Sequence, residues 1–254
     1  TKSRDRIERY NALKDQSEPI SDDAVTMATM SSRLGKKLIE LTDISKTFGD
    51  TCVIDHFSYN IQRDDRIGIV GRNGVGKSTL LNVIAGHLKP DTGTVEVGST
   101  VKFGYFMQEN RELDSGKRVH DFISEIAGEI KTKEGIFTAS QMLERFLFTP
   151  ELQYATIGSL SGGEKRRLYL LSILITAPNI LLLDEPTNDL DIETLAIFED
   201  YMESFPGAVI TVSHDRYFLD KIASSIFEVT DGGKITAYTG NFSDYAEKRS
   251  VALE

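Results

Sequence analysis

Apolar and polar positions change their rhythm several times along the chain. In residues 1–14, Ile7, Tyr10 and Leu13 recur at i, i+3 and i+6 among charges, which predicts a charged helix. From Asp15 to Lys37 the chain turns to Ser, Asp, Thr and Met with Pro19, the composition of a linker or surface segment, so a domain boundary is expected near Lys37. Short strand-like runs follow over Leu38–Ile44 and Val53–Ile61. The apolar run Arg66–Val70 then breaks into a Gly-rich turn and a helical run, Thr79–Ala85. Later strands are expected at Thr94–Val97, Val101–Phe106, Ile180–Asp184, Ala208–Ser213, Ser225–Val229 and Lys234–Tyr238, with helices alternating between the later ones. That alternation predicts an α/β fold with a mostly parallel core sheet, and the early strands add an antiparallel piece. A short helical subdomain is expected around residues 115–160, with Phe137 and Phe146 in its core rather than docking a partner.

With 254 residues, 40% of them hydrophobic, the chain can bury a substantial core. Its net charge of −10 argues against a body that coats nucleic acid or anionic lipid. Residues 1–14 are the local exception: Lys2, Arg4, Arg6, Arg9 and Lys14 against Asp5 and Glu8 give a net +3. The apolar runs fall far short of the ~20 residues a membrane helix needs, so no membrane span is expected. A single cysteine, Cys52, reads as a small core thiol in a reducing, cytoplasmic setting. The chain begins without Met and is expected to be a segment of a longer protein.

The chemistry begins with Gly71-Arg72-Asn73-Gly74-Val75-Gly76-Lys77-Ser78, which fits the phosphate-loop pattern G-x-x-x-x-G-K-[ST] between a strand and a helix that opens on Thr79. The glycines let backbone N–H groups turn toward a phosphate, Lys77 reaches the β/γ oxygens of ATP and the Ser78 hydroxyl suits Mg²⁺. Ile180–Leu183 is so apolar that the two acids ending it need a task. Asp184 suits the Mg²⁺ shell, and Glu185 can orient or deprotonate an attacking water. His214 also ends an apolar strand, either as a structural residue or within reach of a γ-phosphate. Leu160-Ser161-Gly162-Gly163-Glu164 opens a helix, with Ser161 as N-cap and two glycines that permit an anion to approach. One phosphate loop and a second anion-binding helix start suggest action on a nucleotide held elsewhere.

The series Gly71–Ser78, Gln108, Leu160–Glu164, Asp184-Glu185 and Ser213-His214 resembles the ATP-binding cassette family in order and spacing. The resemblance implies an ABC-type P-loop NTPase that hydrolyses ATP with Mg²⁺ at a site completed by a second cassette. It makes Gln108 a switch glutamine contacting Mg²⁺ and water, His214 a switch histidine, and Ser161, Gly162 and Gly163 a signature that closes on a partner's ATP. Phe48 matches the aromatic that stacks on adenine, although it reads equally as a core strand residue. The blocks Asp184–Asp191 and Ser213–Asp220, with Gly240–Tyr245, look like ABC-F proteins, soluble twin-cassette ATPases that act on the ribosome, and Asp189 leans toward Uup-like members. By that resemblance residues 1–37 are the end of an interdomain linker, residues 38–254 are the second cassette, and residues 1–14 are expected to contact ribosomal RNA or tRNA. A transporter cassette and a DNA-repair ATPase are the alternatives. The first requires membrane-subunit partners, and the second usually carries long coiled coils or zinc modules that this chain lacks.

Overall fold

Alternation within the central strands explains the architecture. In β8 (Ile180–Asp184) and β9 (Ala208–Val212) every residue is buried. Leu181, Leu183 and Val209 pack into one hydrophobic cluster, while Ile180, Leu182, Ile210 and Val212 pack into another. Both faces are covered, so these strands read as continuous apolar runs. The computed structural model describes residues 37–106, 113–127, 129–132, 135–188 and 190–251. The expected helix over residues 1–14 lies outside them. Contacts divide the chain between Lys37 and Leu38, and the architecture is that of the unit from Leu38 onward.

The main sheet has the order β11-β10-β3-β9-β8-β5, with β3 at Arg66–Val70, β5 at Phe103–Phe106, β10 at Ser225–Val229 and β11 at Ile235–Thr239. Five of these strands run parallel, and β11 pairs antiparallel with β10 at the edge. A separate three-stranded sheet, β2-β1-β4, joins β1 (Lys37–Phe48) and β2 (Thr51–Gln62) through a turn at Gly49-Asp50 and pairs β1 antiparallel with β4 (Thr92–Val97). This is the expected α/β arrangement with an added antiparallel β subdomain. Helix α1 (Lys77–Ile84) buries Leu80, Leu81, Val83 and Ile84 in the cluster shared with both sheets.

The small subdomain is less helical than expected. Between α2 (Val119–Ile126) and α3 (Ala139–Arg145) stands a hairpin of β6 (Glu129–Thr132) and β7 (Gly135–Thr138), and a short α4 (Pro150–Tyr154) follows. The α3 start is fixed by a capping box in which Thr138 and Gln141 satisfy each other's backbone N–H. Phe146 is buried, and Phe137 packs partly buried under the Arg145 guanidinium at 4.1 Å, so both serve the core. Helix α5 (Gly162–Leu174) is buried on most sides, including Arg166 and Arg167. Helices α6 (Ile192–Ser204), α7 (Arg216–Ile222) and α8 (Phe242–Val251) complete the fold. The Gly240–Tyr245 block acts structurally: Asp220 accepts from both the backbone N–H and the hydroxyl of Ser243, each at 2.7 Å, and so holds the start of α8. Cys52 is half-buried rather than a core thiol, its Sγ 3.3 Å from the Ile54 carbonyl oxygen.

Candidate nucleotide site

Three neighbouring strands, β3, β9 and β8, run parallel and end side by side, and each ends in a segment that carries chemistry. After β3 the chain turns at Gly71, with φ 154°, where a Cβ would lie 2.4 Å from the Val229 carbonyl oxygen. At Gly76, with φ 117°, a Cβ would lie 2.8 Å from the Val53 carbonyl oxygen. Both positions therefore exclude a side chain. Gly76 is also the N-cap of α1 and offers no side chain to the helix start, which leaves the first-turn N–H groups for an anion.

A cavity of about 460 Å³ opens there, lined by Asn73, Gly74, Gly76–Thr79, Asp184, Glu185, Asn188, Val212 and His214. Lys77 is buried at its rim, and its Nζ donates to the carbonyl oxygens of Gly71 and Arg72, each at 2.9 Å, which curls the loop around the ammonium. Burial lowers the Lys77 pKa, and the negative charges of Glu185 and Asp184 oppose that shift. Glu185 adopts a left-handed backbone, φ 49°, and donates its N–H to the Val212 carbonyl oxygen at 2.9 Å, so the end of β8 is latched to β9. Its carboxylate accepts the His214 backbone N–H at 3.4 Å and stands 3.3 Å from His214 Nε2. Burial raises the Glu185 pKa, an effect that His214 and Lys77 oppose and Asp184 reinforces.

The donor set fits a nucleoside triphosphate with a divalent cation. One ammonium and a helix start attract a polyphosphate, yet two carboxylates in the same cavity would repel it. A divalent cation held by the Ser78 hydroxyl and Asp184 would offset that repulsion.

Other expected residues fall elsewhere. Gly71, Arg72 and Val75 do not line the cavity: Gly71 makes the turn, Arg72 is exposed 3.5 Å from Asp231, and Val75 packs in the core. Gln108 and Asp189 lie outside the described residues. Phe48 is half exposed at the end of β1, not a core residue, with Lys46 Nζ 5.5 Å from its ring centroid. Asp91 fixes that strand end through Lys46 Nζ at 2.6 Å and the Thr47 N–H at 2.8 Å. Ser161 caps α5 in a capping box, accepting from the Glu164 N–H while its own N–H donates to the Glu164 carboxylate. Ser161 and Gly162 are exposed and do not line the Lys77 cavity. Asn188 and Val212 line the cavity without having been singled out for it. Asn188 sits one turn beyond Glu185, with its N–H donating to the Glu185 carbonyl oxygen at 3.3 Å, and Val212 precedes the loop of His214.

A family model described as ABC transporter matches residues 54–188. A Bacillus subtilis protein named as an uncharacterized ABC transporter ATP-binding protein, YfmR, is 47% identical over 249 residues, covering 98% of this chain and 40% of that protein. The energy-dependent translational throttle protein EttA of Haemophilus influenzae is 42% identical over 221 residues, covering 87% of this chain and 40% of that protein. The Escherichia coli ATP-binding protein Uup is 37% identical over 225 residues, covering 88% and 35%. The chain thus spans about 40% of the length of the curated relatives it matches. Among solved structures, the dimeric cassette MJ0796 in a post-hydrolysis state with ADP and Pi superimposes with a TM-score of 0.63 at 21% identity, covering 80% of this chain and 98% of that one, a likeness of fold. The family model, the relatives and the converging strand ends agree that this chain belongs to the ABC transporter ATP-binding family and is an ABC ATPase cassette.

Proposed function

We propose that the chain is one cassette of an ABC-F-type ATPase that acts on the ribosome, closing on a second cassette around ATP and reopening after hydrolysis. The observation that carries the ATPase mechanism is the meeting of Lys77, Ser78, Asp184, Glu185 and His214, from three adjacent strand ends, on one cavity. Lys77 and the loop N–H groups hold the β- and γ-phosphates. Ser78 and Asp184, with Gln108 by resemblance to the family, would hold Mg²⁺, which when bound would neutralise charge on the phosphate oxygens. The Glu185 carboxylate takes the proton of the attacking water, and His214 holds that carboxylate in place and faces the γ-phosphate. Phe48 stacks on adenine.

Exposure of Ser161 and Gly162 away from the Lys77 cavity supports a composite site, in which the α5 start closes on the partner's nucleotide. The translation role is supported by 42% identity to a protein named a translational throttle. In this reading residues 1–37 end an interdomain linker, and residues 38–254 are the cassette with its small subdomain at about 115–160. The basic residues 1–14 touch ribosomal RNA or tRNA, and the protein works in the cytoplasm. Among the described residues no helix is long and apolar enough to cross a membrane.

A second reading, the nucleotide-binding subunit of a transporter, is supported by the match to the family model described as ABC transporter. Co-sedimentation separates the two. The full-length protein carrying Glu185→Gln should pellet with ribosomes in ATP and not in ADP. A turnover-competent protein whose Glu185→Gln form stays in the supernatant in both nucleotides would overturn the translation role and leave the ATPase mechanism standing.

A further inference from the structure

Glu185 holds a left-handed backbone conformation that non-glycine residues rarely adopt, and Pro186 follows it, so the next residue contributes no N–H to this turn. A residue in that state stays put only where its surroundings over-determine it. The Val212 carbonyl oxygen fixes one side of the turn through the Glu185 N–H. The other side is held from α5. Arg166, 3% exposed, donates from Nη2 to the Glu185 carbonyl oxygen at 3.2 Å and from Nε to the Asn188 carbonyl oxygen at 2.9 Å. Its guanidinium lies 4.5 Å from the ring centroid of Phe106, the last residue of β5. Its neighbour Arg167 reaches Asp191, the N-cap of α6, at 3.4 Å and Thr194 in the first turn of α6 at 3.1 Å, and stacks at 4.9 Å on Phe148.

We propose that Arg166 is a positioning residue for hydrolysis, which fixes Glu185 by clamping the carbonyl oxygens of Glu185 and Asn188 from the helix that starts at Ser161. The proposal rests on Glu185 being the base. Two features separate this clamp from ordinary core packing. The guanidinium spans both ends of a four-residue turn with a planar fork that an ammonium cannot reproduce. It also joins the loop of one phosphate site to the helix whose N-terminus, in the proposed function, serves the other.

The test is steady-state ATP hydrolysis by this chain at fixed protein concentration, with nucleotide binding followed by a fluorescent ATP analogue and folding by thermal melting. Arg166→Gln and Arg166→Lys should each lower kcat by about 10–100-fold with KM changed less than about threefold, because a displacement of about 1 Å at a reacting group costs that much in rate. Lys should not rescue. The double variant Glu185→Gln/Arg166→Gln should be no slower than Glu185→Gln alone, since both changes act on one group. Folded Arg166 variants with kcat within twofold of wild type, beside an inactive Glu185→Gln, would overturn the proposal. A Glu185→Gln protein that turns over normally would instead sink the base assignment. If Arg166→Gln does not fold, Arg166→Lys carries the test, and loss of folding in both would overturn it too, making Arg166 a requirement of the core.

Discussion

Oε1 of Glu185 and Nε2 of His214 stand 3.3 Å apart, and the same carboxylate accepts the His214 backbone N–H. The two His214 contacts fix the carboxylate in place and favour its charged form, while burial at the end of the strand raises its pKa. If Glu185 is the base as proposed, Glu185→Gln keeps the shape and removes it, so ATP should still bind while hydrolysis falls by roughly 10²-fold or more. Phosphate release measured beside nucleotide binding checks this, and a variant retaining more than half the wild-type rate would remove Glu185 from the role.

The same residue should weaken the fold at neutral pH. Burial raises the Glu185 pKa, so the folded state binds its proton more tightly than the unfolded state does. At pH values above the raised value the ionised, buried carboxylate then subtracts from stability. As pH falls through the raised value and then through the ordinary one, that deficit disappears. Glu185→Gln should therefore raise the melting temperature at pH 7, with the gain shrinking toward pH 4. A melting temperature at pH 7 equal to or below that of wild type would contradict this.

Much of the site was legible because its chemistry is local in sequence. The phosphate loop lies within eight consecutive residues after an apolar strand, and the acids at 184 and 185 stand out against Ile180–Leu183. The left-handed turn at Glu185 left no mark, because only a glycine or Asn there would have announced it. Nor did the Arg166 and Arg167 clamps, which reach 22 and 24 residues along the chain to Asn188 and Asp191 and depend on how α5 lies against the sheet. The β6–β7 hairpin was missed because Glu129–Thr132 and Gly135–Thr138 are too short to display a period of two. Phe48 was ambiguous by type, since an aromatic ending a strand serves a core or a ligand equally well, and only its exposure decides.

Gly162 offers a clean separation of fold from function. A Cβ added there meets nothing within 4 Å in this chain, and the residue opens α5. Alanine is the better helix former by up to about 1 kcal/mol, so Gly162→Ala should leave the melting temperature unchanged or raise it. If the α5 start closes on a nucleotide held by a partner, the added methyl meets that nucleotide and hydrolysis drops. Unchanged stability together with unchanged turnover would show that nothing approaches this glycine.

A composite site has a consequence that mixing can expose. Lys77 lines the cavity and Ser161 does not, so Lys77→Ala and Ser161→Arg damage different halves of what two facing cassettes share. In this chain on its own, the facing cassette can only be a second copy, so specific activity should rise with protein concentration as dimers fill. Each variant alone should be inactive, because every site in its homodimer contains one damaged half. In a mixed dimer the intact phosphate loop of one copy faces the intact Ser161 of the other, which restores one site of the two. With equal amounts and random pairing about half the dimers are mixed, so about a quarter of wild-type activity should return if the sites fire independently. Activity independent of concentration, or no recovery on mixing at concentrations where wild-type dimers form, would show that this chain does not hydrolyse ATP through a shared site.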